Sequence, residues 1–273
     1  MEHCSKYIAK KPDKNGLIKY SDVENSTWGT LYDRQTKIIQ NRACDAFING
    51  LDRLQMSSHW IPQCTEINRS LLAVTGWSVE PVAALIPVDY FFSLLSQRKF
   101  PAATFIRIPE ELDYLQEPDI FHEFFGHCPL LTDPIYADFM QKFGVCALKA
   151  NHIQREYFAR LYWFTVEFGI INTASGYRNY GGGILSSKEE TVYAVESQKP
   201  KRYPLGDGIQ LLRTPYRIDI IQPIYFAIDG FETLYQLLDD EQGLLAKIDE
   251  ARQLGDFEPT FALTDKDKMI LRC

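Results

Sequence analysis

The chain has 273 residues, with 29 lysines and arginines against 36 aspartates and glutamates, for a net charge of −7. Basic residues gather only at Lys10–Lys11 and between Lys199 and Arg202, which excludes the electrostatic footprint of a nucleic-acid or anionic-membrane binder. Six cysteines, at positions 4, 44, 64, 128, 146 and 273, form no C-x-x-C pair, so reduced thiols in a cytoplasmic protein are expected rather than a disulfide framework.

From the N-terminus, Met1 to Asn15 is polar and rich in lysine, unlike a secretory leader. Apolar residues at Ile38, Ile39, Ala43, Phe47, Leu51 and Leu54 recur every three or four positions and predict one long amphipathic helix. A second helix is expected from Thr65 to Val74, closed by Gly76. The most apolar stretch, Pro81 to Leu95, is broken by Pro87 and Asp89 and is too short to cross a bilayer. Strand signals are sparse: Ala103 to Ile108, roughly Arg217 to Ile228, and Thr260 to Leu271. Asp133 as N-cap and Pro134 in the first turn open a helix over Ile135 to Phe143 that Gly144 should stop. Asn151 to Phe168 reads as a helix ending at Gly169, with Ile153, Tyr157, Leu161, Phe164 and Phe168 facing the core and Trp163 and Glu167 sharing a face beside them. Ser187 and Glu190 have the spacing of a capping box. No linker, repeat or low-complexity tract divides the chain, so the expectation is one mainly α domain with small β elements.

The densest chemistry lies in Glu117 to His127, where two of the five histidines, His122 and His127, stand five residues apart beside Glu123. Imidazoles beside a carboxylate suggest a metal site, without naming the metal. Zinc proteases place their histidines at i and i+4, whereas i and i+5 are splayed on a regular helix. Gly126 before His127 and Pro129 after it therefore predict a helix end that swings the second ring back. Two buried, hydrogen-bonded structural histidines are the plain alternative. Glu167 lies within Leu161 to Ile171, another strongly apolar stretch, and a buried carboxylate needs a metal or a cation such as Arg155 or Arg160. Two histidines and one carboxylate on separate helices match the facial arrangement of non-haem iron(II) oxygenases.

These residues resemble the pterin-dependent aromatic amino acid hydroxylases, most closely their short bacterial members acting on phenylalanine. The resemblance runs through Ser26 to Thr30, Thr75 to Ala83, Glu117 to Gly144, Tyr162 to Gly169 and Tyr180 to Ser187, and is strongest over about residues 26–230. It implies an extension over residues 1–20 and a single catalytic domain over 21–273, with no regulatory or tetramerisation module. It also implies conversion of L-phenylalanine to L-tyrosine, in phenylalanine catabolism, with iron(II), dioxygen and a tetrahydropterin, either tetrahydrobiopterin or a bacterial equivalent.

By the same resemblance the metal ligands fall on His122, His127 and Glu167. Arg107 takes the position that grips the substrate carboxylate, in keeping with the bidentate reach of a guanidinium. Tyr114, Pro118, Trp163, Gly183 and Ser186 fall on the substrate pocket. Phe91 matches a ring that stacks on the pterin, with Ile86, Pro101 and Glu123 near it. Glu123 is expected to orient pterin or water, and so counts as catalytic. Pro101 stands where longer animal enzymes carry histidine. The implied partners are small molecules only, with no nucleic acid or membrane, in a monomer or small homo-oligomer. Tryptophan or tyrosine hydroxylation is the alternative within the family; a zinc hydrolase or a non-catalytic helical binding protein lies outside it.

Overall fold

The computed structural model describes residues 7–83, 86–113, 115 and 117–261. Helix α1 (Asp22–Ile38) is opened by a reciprocal capping box between Ser21 and Glu24 and buries Trp28 and Leu31. The helix expected over Ile38 to Leu54 is two pieces: α1 ends at Ile38 and α2 (Asp45–Leu54) starts after a turn containing Asn41 at φ +61°. The break has a cause: after a local turn in which Arg42 N and Ala43 N donate to Ile39 O, Cys44 N donates to Asn179 O and Asn179 N donates to Arg42 O, so the chain pairs with distant backbone where a continuous helix would pair onward. Both helices bury their apolar sides in one core, which kept the pattern in phase across the break.

Helix α3 (Cys64–Val74) forms as expected, followed by β1 (Ser78–Val82), α4 (Val88–Ser96) and β2 (Lys99–Ala103). The two strands pair in parallel, with Glu80 opposite Pro101, across the α4 connection. The strand expected over Ala103 to Ile108 therefore ends where it was meant to begin. Residues 104–108 stay extended because Ile120 N donates to Phe105 O and Arg107 N donates to Asp119 Oδ2, tying them to the segment before His122.

Helix α5 (Pro134–Lys149) starts at the Asp133 cap and runs through Gly144. That glycine is a packing notch and not a stop. A Cβ there would lie 2.5 Å from Ser96 N and 2.8 Å from Phe92 O, so only glycine lets α5 lie against α4. Helix α6 (His152–Tyr162), capped by Asn151, continues into a π-helical turn, Trp163–Glu167.

A four-stranded sheet follows, in the order β4-β3-β6-β5, with β3 (Ile170–Thr173) antiparallel to β4 (Gly176–Asn179) and parallel to β6 (Ile224–Ile228), and β5 (Lys201–Pro204) at the edge. Of the strand expected over Arg217 to Ile228 only β6 forms. Of that expected over Thr260 to Leu271, Thr260 and Phe261 are not strand, and the remainder lies outside the described residues. Helices α7 (Gly182–Leu185), α8 (Lys188–Glu196), α9 (Ile209–Leu212), α10 (Phe231–Leu237) and α11 (Glu241–Leu254) complete a mainly helical architecture. Among the described residues no helix is long and apolar enough to cross a membrane, and Cys44, Cys64, Cys128 and Cys146 are free and buried.

Gly144→Ala tests the notch. A stop glycine inside a helix would be stabilised by alanine, whereas overpacking against the backbone of α4 should cost about 1–3 kcal/mol in urea unfolding.

Candidate metal centre

His122–His127 form a π-helical turn, closed by Cys128 N donating to Glu123 O at 3.2 Å. In an α-helix, residues five apart are about 140° out of phase; closure at i+5 brings them onto one side. The imidazoles accordingly meet, with centroids 4.7 Å apart and Nε2 atoms 3.0 Å apart. The helical turn ends where the sequence suggested, at His127 with Cys128 as C-cap, but it is the widening to π closure that turns the second ring toward the first. Trp163–Glu167 is a second π turn, with Phe168 N donating to Trp163 O at 2.8 Å, and it delivers Glu167 to the same place.

Glu167 oxygens lie 3.3 Å from His127 Nε2 and 3.6 Å from His122 Nε2. Donors about 2.1 Å from one metal centre stand about 3.0–3.4 Å apart, so the three groups fit a shared cation. The arginines that might have neutralised Glu167 are engaged elsewhere: Arg155 with Asp89, and Arg160 with Asp256 at 2.6 Å. Burial by itself pushes the Glu167 carboxyl up, but His127, His122 and the Gly183 N–H outweigh it and hold it below its ordinary value. Burial pushes His122 down to about 4, which keeps its ring neutral.

The tautomer of His122 follows from its neighbours. Ser186 Oγ lies 2.8 Å from Gly182 O, an acceptor only, and so spends its single proton there. At 2.9 Å from His122 Nδ1 it then accepts, so Nδ1 carries the proton and Nε2 presents a lone pair. His127 is seated on Gly182, where a Cβ would come within 2.3 Å of its Cε1.

Glu123 also has an oxygen within 4.8 Å of both imidazoles. It is the weaker ligand: it lies farther off than Glu167, and burial, with Glu167 and Asp119 nearby, pushes its carboxyl well above the ordinary range. Its carboxyl is thus shifted in the opposite direction from that of Glu167.

Arg107 is buried, and its Nε and Nη2 donate to Asp119 Oδ2 and Oδ1 at 2.8 and 2.9 Å. Asp119, fully buried, also accepts from the backbone N–H of Arg107 and of His122. Burial pushes its carboxyl up, but the Arg107 guanidinium outweighs that and holds it below the usual carboxylate range. Among the described residues Arg107 Nη1 makes no hydrogen bond. Trp163 is half-buried, with its ring stacked on Tyr216 at 4.8 Å and against Phe168 at 4.5 Å. Gly183 lies against Glu167 and Phe168, and Pro118 is half-buried next to Asp119. Phe91 is half-buried with its edge toward Tyr162 at 5.3 Å. Pro101 is buried on β2, whose Phe100 lies 5.1 Å from the His127 ring and whose Ala103 N–H reaches Glu123. Ile86 is half-buried, and Tyr114 lies outside the described residues.

The chain matches the family of biopterin-dependent aromatic amino acid hydroxylases over residues 4–247. It belongs to that family. It is 50% identical to the phenylalanine-4-hydroxylase of Pseudomonas aeruginosa over 257 residues, which cover 94% of this chain and 97% of that one. Its fold superposes with a TM-score of 0.91 on apo phenylalanine hydroxylase from Colwellia psychrerythraea, at 46% identity, covering 93% of this chain and 98% of the other. The Chromobacterium violaceum enzyme with bound iron(III) and 7,8-dihydrobiopterin gives 0.85 at 41% identity, covering 94% and 91%.

Sequence reasoning missed Asp119, Gly182 and Gln222. Asp119 had a signal, an acid three residues before His122, where a carboxylate can accept that residue's backbone N–H. Ser186→Ala should leave the helical circular dichroism unchanged and weaken divalent-metal binding by about 10–100-fold in a cobalt competition titration, because the tautomer of His122 is no longer fixed.

Proposed function

We infer that this chain is a phenylalanine 4-monooxygenase, converting L-phenylalanine to L-tyrosine with dioxygen and a tetrahydropterin at an iron(II) held by His122, His127 and Glu167. The observation that carries the reading is the convergence of two imidazole Nε2 atoms and one carboxylate, from two π turns, within 3.0–3.6 Å. A donor set of two imidazoles and a carboxylate suits a non-haem iron(II) with open positions. Relatives named as phenylalanine hydroxylases at 46–50% identity support the substrate. The half-buried Phe91 ring and the buried Glu123 carboxyl suit a flat heterocycle with hydrogen-bonding edges.

Bound together, iron(II) and the tetrahydropterin supply the electrons that activate dioxygen, one oxygen atom of which enters the ring. The protein's own part is binding, orientation and exclusion of water. Arg107 is held rigid by Asp119 and offers its free Nη1 to the substrate carboxylate, while Trp163 walls the ring. Phe121, Phe124, Phe125, Phe164 and Val166, all buried, close the back of the site to water. Glu123 lies beside the centre, its carboxyl pushed well above the ordinary range by burial. The buried free thiols support a reducing, cytoplasmic setting, in which we expect a monomer or small homo-oligomer.

Three variants, His122→Ala, His127→Ala and Glu167→Ala, should each lose most bound iron and all tyrosine formation, whereas Glu123→Gln should keep iron and lose activity. Equal iron loss in Glu123→Gln and Glu167→Ala would refute the ligand assignment. Zinc reconstitution or omission of pterin should abolish turnover, since zinc has no redox chemistry. A preference for tryptophan in kcat/KM would overturn the named substrate.

Removing Arg107 altogether is a poor test of its role, because it strands Asp119 as a buried, unpaired charge. Arg107→Lys keeps that charge pair and loses the fork. It should raise the KM for phenylalanine about 10-fold or more, with iron content unchanged and little change for phenethylamine, which has no carboxylate.

A further inference from the structure

Ser187 and Glu190 form only half of the capping box their spacing announces. Ser187 Oγ accepts from Glu190 N at 3.3 Å, but the Glu190 carboxylate turns inward, where Oε1 accepts from Gln222 N at 3.0 Å and from the Tyr225 hydroxyl. Glu190 and Gln222 are 5% and 1% exposed, so both polar groups are committed to the interior. Gln222 Nε2 donates to Arg217 O at 2.9 Å and to Ile220 O at 2.8 Å. Those two carbonyls fix which way the amide points, since a flipped amide would set its oxygen against both of them. Gln222 Oε1 is thereby left as an acceptor of set direction, and the Trp163 indole N–H donates to it at 3.1 Å.

The indole is held at one edge by that bond, stacked on Tyr216 with 23° between the planes, and flanked by Phe168. It is half-buried and stands four residues before Glu167 on the same π turn. We propose that Gln222 and Glu190 are positioning residues that set the plane of Trp163 beside the substrate ring, and so select which ring carbon is hydroxylated. This rests on the aromatic hydroxylase reading above. If the pocket needed only an aromatic slab, phenylalanine at position 163 and an apolar residue at 222 would fill the space without burying an amide whose every partner must be supplied. A directed donor and a directed acceptor instead define one rotation of the indole.

The test compares the iron- and pterin-loaded wild type with Q222L, W163F and the double variant. It measures tyrosine formed per pterin oxidised, the distribution of hydroxylation over para and meta carbons, and the indole N–H resonance of Trp163, identified by its loss in W163F. Q222L should lower kcat/KM for tyrosine formation about 3–10-fold. It should also lower coupling, divert product to the meta carbon, and speed solvent exchange of the Trp163 N–H. In the W163F background Q222L should change coupling and product distribution no further, because the bond it breaks is already absent. Should Q222L fold poorly, replacing Trp163 with β-(3-benzothienyl)alanine removes the N–H alone and should shift coupling and products in the same way. Wild-type coupling and products in Q222L or in the benzothienyl protein, or equal shifts by Q222L with and without the indole, overturn the positioning role. A wild type that makes no tyrosine removes the underlying reaction and the inference with it.

Discussion

The widening of two helical turns from α to π closure is the constraint on which the rest of the site depends. Histidines five apart face different ways on an α-helix, and only i+5 closure turns both toward one point. A π turn has a hydrogen-bond pattern that isolated chains avoid, so packing must hold it. Here the side of the turn away from the imidazoles carries Phe121, Phe124 and Phe125, all buried, with Phe121 and Phe125 stacked at 4.9 Å and 15°. On the near side, Gly182 lets the His127 ring sit directly on the backbone of α7, and the same helix ends in Ser186, which fixes the His122 tautomer. One short helix thus supports both rings.

Charge balance follows from this geometry. Arg107 and Asp119 pair with each other, burial pushes the His122 ring down to about 4 and the Glu123 carboxyl well above its ordinary value, and the imidazoles hold the Glu167 carboxyl below its own. A mostly apolar enclosure that brings a carboxylate and two imidazoles together is poor surroundings for a carboxylate alone and good surroundings for a divalent cation. The Arg107–Asp119 pair links the proposed substrate anchor to the proposed ligands through one side chain, since Asp119 also accepts the His122 N–H. A shift in one is felt by the other.

Residue type made the proposed metal ligands legible, because histidines beside a carboxylate and a glutamate in an apolar run are costly without a purpose. The π turns were not legible as such. Pattern reading assumes a period of 3.6, so i+5 registered only as a misfit, and the misfit was itself the signal. The single helix expected over Ile38 to Leu54 failed for a related reason: the intervening turn contains no glycine or proline, and only Asn41, in the left-handed region, could have marked it. Gly144 was misread because close approach and helix termination both select glycine. Arg107 stood out only through family resemblance, since its distinguishing partner, Asp119, is brought near by the irregular segment 104–108 rather than by any periodic element.

The core divides unevenly around the site. The ligand-bearing turns and their aromatic backing belong to one large cluster that runs from Trp28 to Ala251. Ile170, Ile184, Ala194, Tyr225 and Ala227 form a smaller cluster, packed by Phe168 and Tyr193, between the four-stranded sheet and α8. Tyr225 there bonds Glu190, and through Gln222 the chain of polar contacts reaches Trp163. Trp163 and Tyr216 pack against the large cluster, so the wall facing the proposed substrate is braced by that cluster and, through the Gln222–Glu190 contacts, by the smaller one. Ile184 of that smaller cluster lies on α7, the helix that supports both imidazoles, so the two units meet there as well as at the turn that carries both Trp163 and Glu167. That shared turn limits how far the wall can move before the third ligand moves with it.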